Sequence, residues 1–540
     1  MTPVDWGVIT LYLAGVIGFS LKLSKQQLSP DDYYVGGRKL PWWAVGISTM
    51  ATQSSANSFV GIPAFVALVA GGGMTWLQYE LAMPLAMGAV MILMIRRFRE
   101  LNLVSVYGYL EKRFDGRSRR VMAVIFLLSR GLAAGVGIYA SAVVLSTCLG
   151  LSIETCMILV GVVTIIYDSM GGMTAVVWTD VVQMGILMLG IFACIAFALV
   201  EQGSVAQVIA AFPPERLDGL RLEHGIGDGS RAPLWGFLVG GLFLYMSYYG
   251  VDQSQMQRCL SAPTIADSKR SLVLNGFARF PLTLLYLIMG LCVGSIFRTD
   301  VSLMEALPGG RVDAMIPVFV LERLPMGLRG LIFAAVMAAA MSTLDSYLNS
   351  LSASTMNDLV IPYCQHSGRG LTTTSALRLS RLTTFIWGSI ITAFGFFIHG
   401  ISEPGSTVVE SINMVGSLFY GPMLAVFLVG LLSKRATGPA VLTGLFVGVA
   451  VNLLLWLGMR GLFWMWWNVT GVVVAAAVAM LMTLWLPAAP KERLVGTLFN
   501  PKEALKEERP WARTYVLLIG YFVLLLTVAA FSGPLLRLLS

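Results

Sequence analysis

The densest run of groups able to do chemistry is Ser48-Thr49-Met50-Ala51-Thr52-Gln53-Ser54-Ser55-Ala56-Asn57-Ser58, where eight of eleven residues are polar within an otherwise apolar stretch. A second run, Ala338 to Tyr347, sets Ser342 and Ser346 four apart and therefore on one helix face, with Thr343 and Asp345 beside them. Asp180 closes a third segment, Val176-Val177-Trp178-Thr179-Asp180. Hydroxyls, carbonyls and carboxylates are hard oxygen ligands, which suit a small alkali cation better than a soft metal. Asp180 can equally cap a helix start, and Asp345 can equally sit at a solvated helix end. The three histidines (224, 366, 399) are far apart and the six cysteines form no CxxC pair. That pattern offers no His-based metal centre, no disulfide framework and no catalytic acid–base set, so an enzyme is not expected and no cofactor beyond a coupling ion is called for.

These residues sit in a chain of 540 residues that is 56% hydrophobic and only 12% charged. Soluble domains carry about 25% charged residues. With a mean hydropathy of +0.77, a string of water-soluble domains is excluded and an all-α integral membrane protein is predicted. Spanning helices need about 20 apolar residues. Fourteen candidates follow, at 6–23, 42–70, 74–95, 121–148, 152–170, 177–200, 233–252, 272–296, 328–351, 378–399, 406–432, 437–459, 464–486 and 514–537. The first has no basic start and no small-residue cleavage site, so it is expected to be retained rather than removed as a signal peptide. The net charge of +8 comes from clusters between apolar runs, chiefly eight Lys and Arg in Arg96–Arg120 and six in Lys491–Arg513. Such clusters mark inner loops rather than a nucleic-acid surface, and they predict a multi-pass plasma (inner) membrane protein with both termini outside.

Span 2 is about 28 residues, roughly 42 Å as a helix, with its polar run at the middle. A lipid-facing helix does not tolerate that run; an interrupted helix lining a cavity does. Close packing through small hydroxyl residues is the plainer alternative. Span 7 carries Gly240-Gly241 and Tyr245-Met246-Ser247-Tyr248-Tyr249-Gly250, a second candidate for a bend. Spans 2–6 and 7–11 then form two halves of five. Five is odd, so the halves are inverted, with the interrupted helices pointing to a midplane site. The expected divisions are 1–41 (first span and inner loop), 42–200 (first repeat), 201–232 (outer loop), 233–432 (second repeat) and 433–540 (three peripheral spans). Arg130 in span 4 and Arg279 in span 8 are able to hold a carboxylate through charge-assisted hydrogen bonds; Arg279 is expected to snorkel inward instead. Glu410 in span 11 is a gate or a solvated turn.

Four motifs resemble the sodium–solute symporter family over nearly the whole chain. They are Asp32-Tyr33-Tyr34-Val35-Gly36-Gly37-Arg38-Lys39-Leu40-Pro41-Trp42-Trp43; the stretch Gly171-Gly172 through Trp178-Thr179-Asp180 to Gln183; Asp252-Gln253 through Gln257-Arg258 to Ala262; and Ala339-Ala340-Met341-Ser342-Thr343 with Ser346. The resemblance implies two inverted five-helix repeats, the fold shared with the bacterial leucine transporter, and sodium-driven symport of a small organic solute by alternating access. It implies a sodium site from the carbonyls of Ala51, Ser54 and Ala339 and the hydroxyls of Ser342 and Thr343. A second cation site of some members maps to Asp180, Ser342, Asp345 and Ser346, with Asp345 standing where those members have serine. By position the solute is expected to meet Ser55, Ser58, Gln78, Arg130, Tyr248, Tyr249, Asn413 and Met414. A functional monomer in the lipid bilayer is expected. The alternatives are a membrane sensor with a transporter-like core and a proton-coupled carrier; a channel is disfavoured because no ring of like charges is evident.

Overall fold

The structure, a computed structural model, describes residues 1–24, 27–223, 225–227, 233–368, 370–401, 408–459 and 461–539, with only the backbone described at 401 and 408–415. Helices build it, and no strand occurs among the described residues. The helix α1 (Pro3–Ser24) is anchored at its start by Asp5, which accepts from the Gly327 and Gly330 amides at 2.7 and 3.1 Å. Span 2 is two helices, α2 (Trp42–Gln53) and α3 (Ala56–Ala67). Between them Ser54 leaves helical geometry (φ −93°, ψ 71°), and Ser55 caps α3 by accepting from the Ser58 amide. Next come α4 (Met74–Glu100), α5 (Gly116–Leu149) and α6 (Ile153–Gln202).

Although α6 is continuous for 50 residues, it is bent sharply at Gly172 (φ 54°, ψ −168°). A side chain there would meet the Tyr33 carbonyl oxygen at 2.7 Å. Tyr167, before the bend, and Asp180, after it, are thirteen residues apart, roughly 20 Å along a straight helix. Both nevertheless bond to one turn of a single partner helix, Tyr167 to Asp345 and Asp180 to Ser342. Both halves of α6 thus meet α10 on either side of the bend, and spans 5 and 6 share this one element.

In the second half of the chain, α7 (Gly241–Gly250) stops at Val251, and Asp252 caps α8 (Gln253–Ser261) by accepting from the Ser254 amide at 2.8 Å. The long α9 (Ile265–Thr299) and α10 (Leu328–Ser354) follow, then α11 (Thr373–Ile401), α12 (Val408–Leu432), α13 (Gly438–Gly458), α14 (Trp466–Met482) and α15 (Ala512–Leu538). Nine helices among the described residues are long and apolar enough to cross a bilayer. Spans 2, 7 and 13 fall on shorter helices, and span 11 falls on α12, of whose 25 residues Gly416–Leu432 have described side chains.

Burial separates centre from rim. The most apolar stretch of α10 is 94% buried, against 22% for α1 and 28% for α11. Rim side chains such as Leu11, Leu454 and Leu517 are exposed, and an apolar exterior of this extent suits hydrocarbon rather than water. At the centre many buried polar groups are bonded. All of α8 is buried although its sequence is hydrophilic. Gln253 accepts from the Val106 amide at 2.9 Å, and Gln257 donates to the Tyr34 carbonyl and to Asn349, both at 2.7 Å. The Gly36-Gly37-Arg38 turn is left-handed at all three residues, and Arg38 donates to the carbonyls of Asn102, Leu103 and Leu260.

Candidate ion and solute site

The α2–α3 break lies against α10. Thr343 donates to the Thr52 carbonyl at 3.0 Å and to that of Ala339, one turn back, at 3.2 Å. The Ala51 carbonyl accepts from the Ser54 amide at 2.9 Å. The Thr52 carbonyl at the break thus faces a hydroxyl of a neighbouring helix, an arrangement able to contribute to an alkali-ion site. The Ser54 hydroxyl is engaged elsewhere, with Arg279 at 3.2 Å. Ser342 donates to Asp180.

Asp180 is not a simple helix cap. It is fully buried within α6 and accepts from Ser342, from Ser48 at 2.5 Å and from Arg258 at 3.5 Å. Arg258, from α8, also donates to Ser346, to Ser48 at 2.8 Å and to the Ser254 carbonyl. Asp345 does not face water: it is fully buried and accepts from Tyr167 at 2.8 Å and Ser346 at 3.3 Å. Thr52 and Ser346 meet at 2.8 Å, which joins this cluster to the α2–α3 break. Asp180, Ser342, Asp345 and Ser346 are therefore brought together, and a guanidinium joins them. Sequence reading took Arg258 only as part of a motif; no helical period links it to α6 or α10.

A cavity opens beside the break. Among the expected solute contacts, Ser55, Ser58, Arg130 and Tyr248 line it. Gln78 does not; it is buried and donates to the Thr75 carbonyl at 3.1 Å. Tyr249 does not either, but its hydroxyl holds Gln53, which does, at 2.8 Å. The side chains of Asn413, Met414 and Glu410 lie outside the described residues. Arg279 corrects the expectation of snorkelling: it sits in the cavity wall, 5% exposed, and donates to Glu80 at 2.7 Å. Glu80 also accepts from Thr283 at 3.0 Å and Tyr245 at 3.2 Å, and so draws the guanidinium inward from the lipid interface. Sequence reading missed Glu80 because it closes a 3₁₀ turn, Met74–Glu80, at the start of α4. Arg130 pairs with Asp252, donates to the Tyr420 hydroxyl at 2.8 Å and lies over the rings of Tyr347, Tyr248 and Tyr420 at 4.8, 5.5 and 5.7 Å. Such an aromatic cage stabilises a buried cation.

The profile of the "Sodium:solute symporter family" matches residues 33–448. The chain belongs to that family. This symporter is 27% identical to the sodium/sialic acid symporter SiaT of Proteus mirabilis, over 90% of this chain and 96% of the relative. It is 30% identical to the human sodium/iodide cotransporter over 84% of this chain and 70% of the relative. It is 29% identical to the human sodium-coupled monocarboxylate transporter 1, over 84% and 72%. A solved substrate-bound, outward-open Na⁺-coupled sialic acid symporter superposes at a TM-score of 0.80 with 26% identity, covering 90% of this chain and 99% of that one. A nucleobase–cation symport transporter at a TM-score of 0.51 and 12% identity shares the fold. Family membership and the sialic acid symporter neighbour make the protein a sodium-coupled symporter in a membrane, not an enzyme.

Proposed function

We propose that this symporter carries a small organic solute bearing a carboxylate or similar anionic group into the cell. The observation that carries this reading is the position of Arg130, caged by three tyrosines in the wall of the cavity beside the helix break. A planar guanidinium favours a carboxylate geometrically as well as electrostatically. Ser55, Ser58 and Tyr248 supply the remaining polar edge, with Gln78 and Tyr249 behind it and Asn413 and Met414 across span 11. One sodium ion takes the carbonyls of Ala51, Ser54 and Ala339 and the hydroxyls of Ser342 and Thr343. The contact between Thr343 and the Thr52 carbonyl supports that assignment. A second cation takes Asp180, Ser342, Asp345 and Ser346, competing there with Arg258. Each charge crossing 100 mV contributes about 2.3 kcal/mol to uptake.

The same reading holds fourteen spans, inverted repeats at 42–200 and 233–432 with three peripheral spans after them, both termini outside the plasma membrane, and a working monomer. Paired interruptions support the repeats: α2 gives way to α3 at Ser54, and α7 to α8 at Val251. The test is uptake into proteoliposomes of labelled sugars, amino acids, monocarboxylates and sialic acid, in sodium or choline chloride. Sodium-dependent accumulation of an anionic solute is expected. Uptake restricted to neutral sugars, or indifferent to sodium, overturns the proposal.

A further inference from the structure

Asp168 lies on the first half of α6, four residues before the Gly172 bend, and is 1% exposed. Neither of its carboxylate oxygens has a hydrogen-bond partner. Thr164, one turn earlier on the same face, also has a buried hydroxyl without a partner. The adjacent Tyr167 bonds Asp345 at 2.8 Å, and Asp168 itself is within electrostatic reach of Asp345, Asp180 and Arg258.

The groups around Asp168 come from several elements. Tyr33, on the short helix Pro30–Val35, donates to the Asp168 backbone carbonyl at 3.3 Å and meets Thr384 of α11 at 3.0 Å. Tyr34 follows it, and Arg381 of α11 lies within electrostatic reach of Tyr33. Asp345 on α10, Asp180 on the second half of α6 and Arg258 on α8 are the charges within reach of Asp168 itself. Ser342, Ser48 and Arg258 donate to Asp180, and Tyr167 and Ser346 donate to Asp345, whereas no group donates to Asp168. Fully ionised, the three acids face one guanidinium. A buried carboxylate without donors is costly, and of the three only Asp168 gives up no hydrogen bond on becoming neutral. A buried carboxyl in that position is neutralised most simply by a proton, which needs no further ligand.

We infer that Asp168 is a proton-binding carboxyl of this symporter and that its proton opposes sodium at the neighbouring Asp180–Asp345 site. The inference rests on the reading of that site as a cation site. On release the carboxyl O–H bond breaks, the electron pair stays on Asp168 and the proton passes to water. Sodium beside Asp180 and Asp345 repels the proton, and the proton weakens sodium by the same factor, because coupling between sites is reciprocal.

The test uses the full-length protein purified in detergent. Binding of radioactive sodium is measured between about pH 8 and about pH 6, and proton release on adding NaCl is followed with a dye in weak buffer, with choline chloride as control. The wild type is expected to need at least about fivefold more sodium for half-saturation at the lower pH, the small end of ordinary coupling, and to release protons when sodium is added. In Asp168→Asn the pH dependence is expected to shrink to about twofold or less with proton release lost, and Asp168→Glu is expected to restore both. Sodium binding without proton release in the wild type, or undiminished release from Asp168→Asn, overturns the inference and leaves the cation-site reading standing. Absence of sodium binding brings down that reading, and the inference with it. The wild-type release measurement needs no variant to fold.

Discussion

In the wall of the solute cavity each guanidinium has its own carboxylate: Arg130 pairs with Asp252, and Arg279 pairs with Glu80 at 2.7 Å. Across α2, in the cluster formed by α6, α8 and α10, Asp168, Asp180 and Asp345 share Arg258. Both regions are buried, so solvent does not even out the difference. A balanced wall leaves hydrogen-bonding edges and rings for a solute while keeping its own charges in place. An acid-rich cluster is left short of positive charge, and on the proposed reading a mobile cation makes up that shortage. Charge balance, more than the mere presence of charged residues, distinguishes the two roles.

The strongest way to break this comparison is Arg258→Met. Removing one partner of a buried ion pair costs about 3–5 kcal/mol, so thermal unfolding in detergent is expected at a clearly lower temperature, with partial recovery in the double variant with Asp180→Asn. A variant as stable as the wild type would mean that the cluster is not short of positive charge. Next in size is Arg130→Gln, made in an Asp252→Asn background so that no acid is stranded. Loss of a charge-assisted contact worth about 1.5–3 kcal/mol is expected to lower kcat/KM for an anionic solute by about tenfold to a hundredfold. An unchanged uptake rate would leave the cavity wall with only a structural role for this arginine.

Thr343→Ala sharpens the link between the two regions, since Thr343 lines the cavity and reaches the Thr52 carbonyl. Sodium for half-maximal uptake is expected to rise about tenfold, equivalent to about 1.4 kcal/mol, while solute affinity at saturating sodium is retained. A matching loss of solute affinity would assign Thr343 to the solute instead. The smallest effect is at the cap of the break. Ser55→Ala is expected to destabilise by about 1 kcal/mol and Ser55→Gly by only a few tenths, read as shifts in thermal unfolding. Equal losses would show that the hydroxyl serves the solute rather than the helix start.

The helix break and the hydroxyl face on which the proposed ion site rests were legible in the residue order. The polar run at 48–58 is too dense for a lipid-facing helix, and α2 and α3 part within it, at Ser54. The Ser342, Asp345 and Ser346 face follows from helical spacing alone, and all three side chains are buried together. The cavity wall was less legible. Arg279 reads as an interfacial arginine until Glu80 is seen opposite it, 199 residues away in the chain. Asp168 is not legible in the sequence because the signal in its segment is the Gly171-Gly172 pair, where α6 bends.

Hydrophobic runs long enough to cross a bilayer, basic loops between them and hydroxyl-rich interruptions determined by themselves that this is a polytopic membrane protein with oxygen-rich segments inside its apolar runs. Those features depend on neighbours three or four residues apart, and one helix carries that information intact. Which acid receives a guanidinium and which receives none was decided only by tertiary packing. Ser48 and Asp180 are 132 residues apart, and Arg258 and Ser346 are 88. Their meeting depends on how α2, α6, α8 and α10 rotate and cross, and no single helix's period encodes those angles.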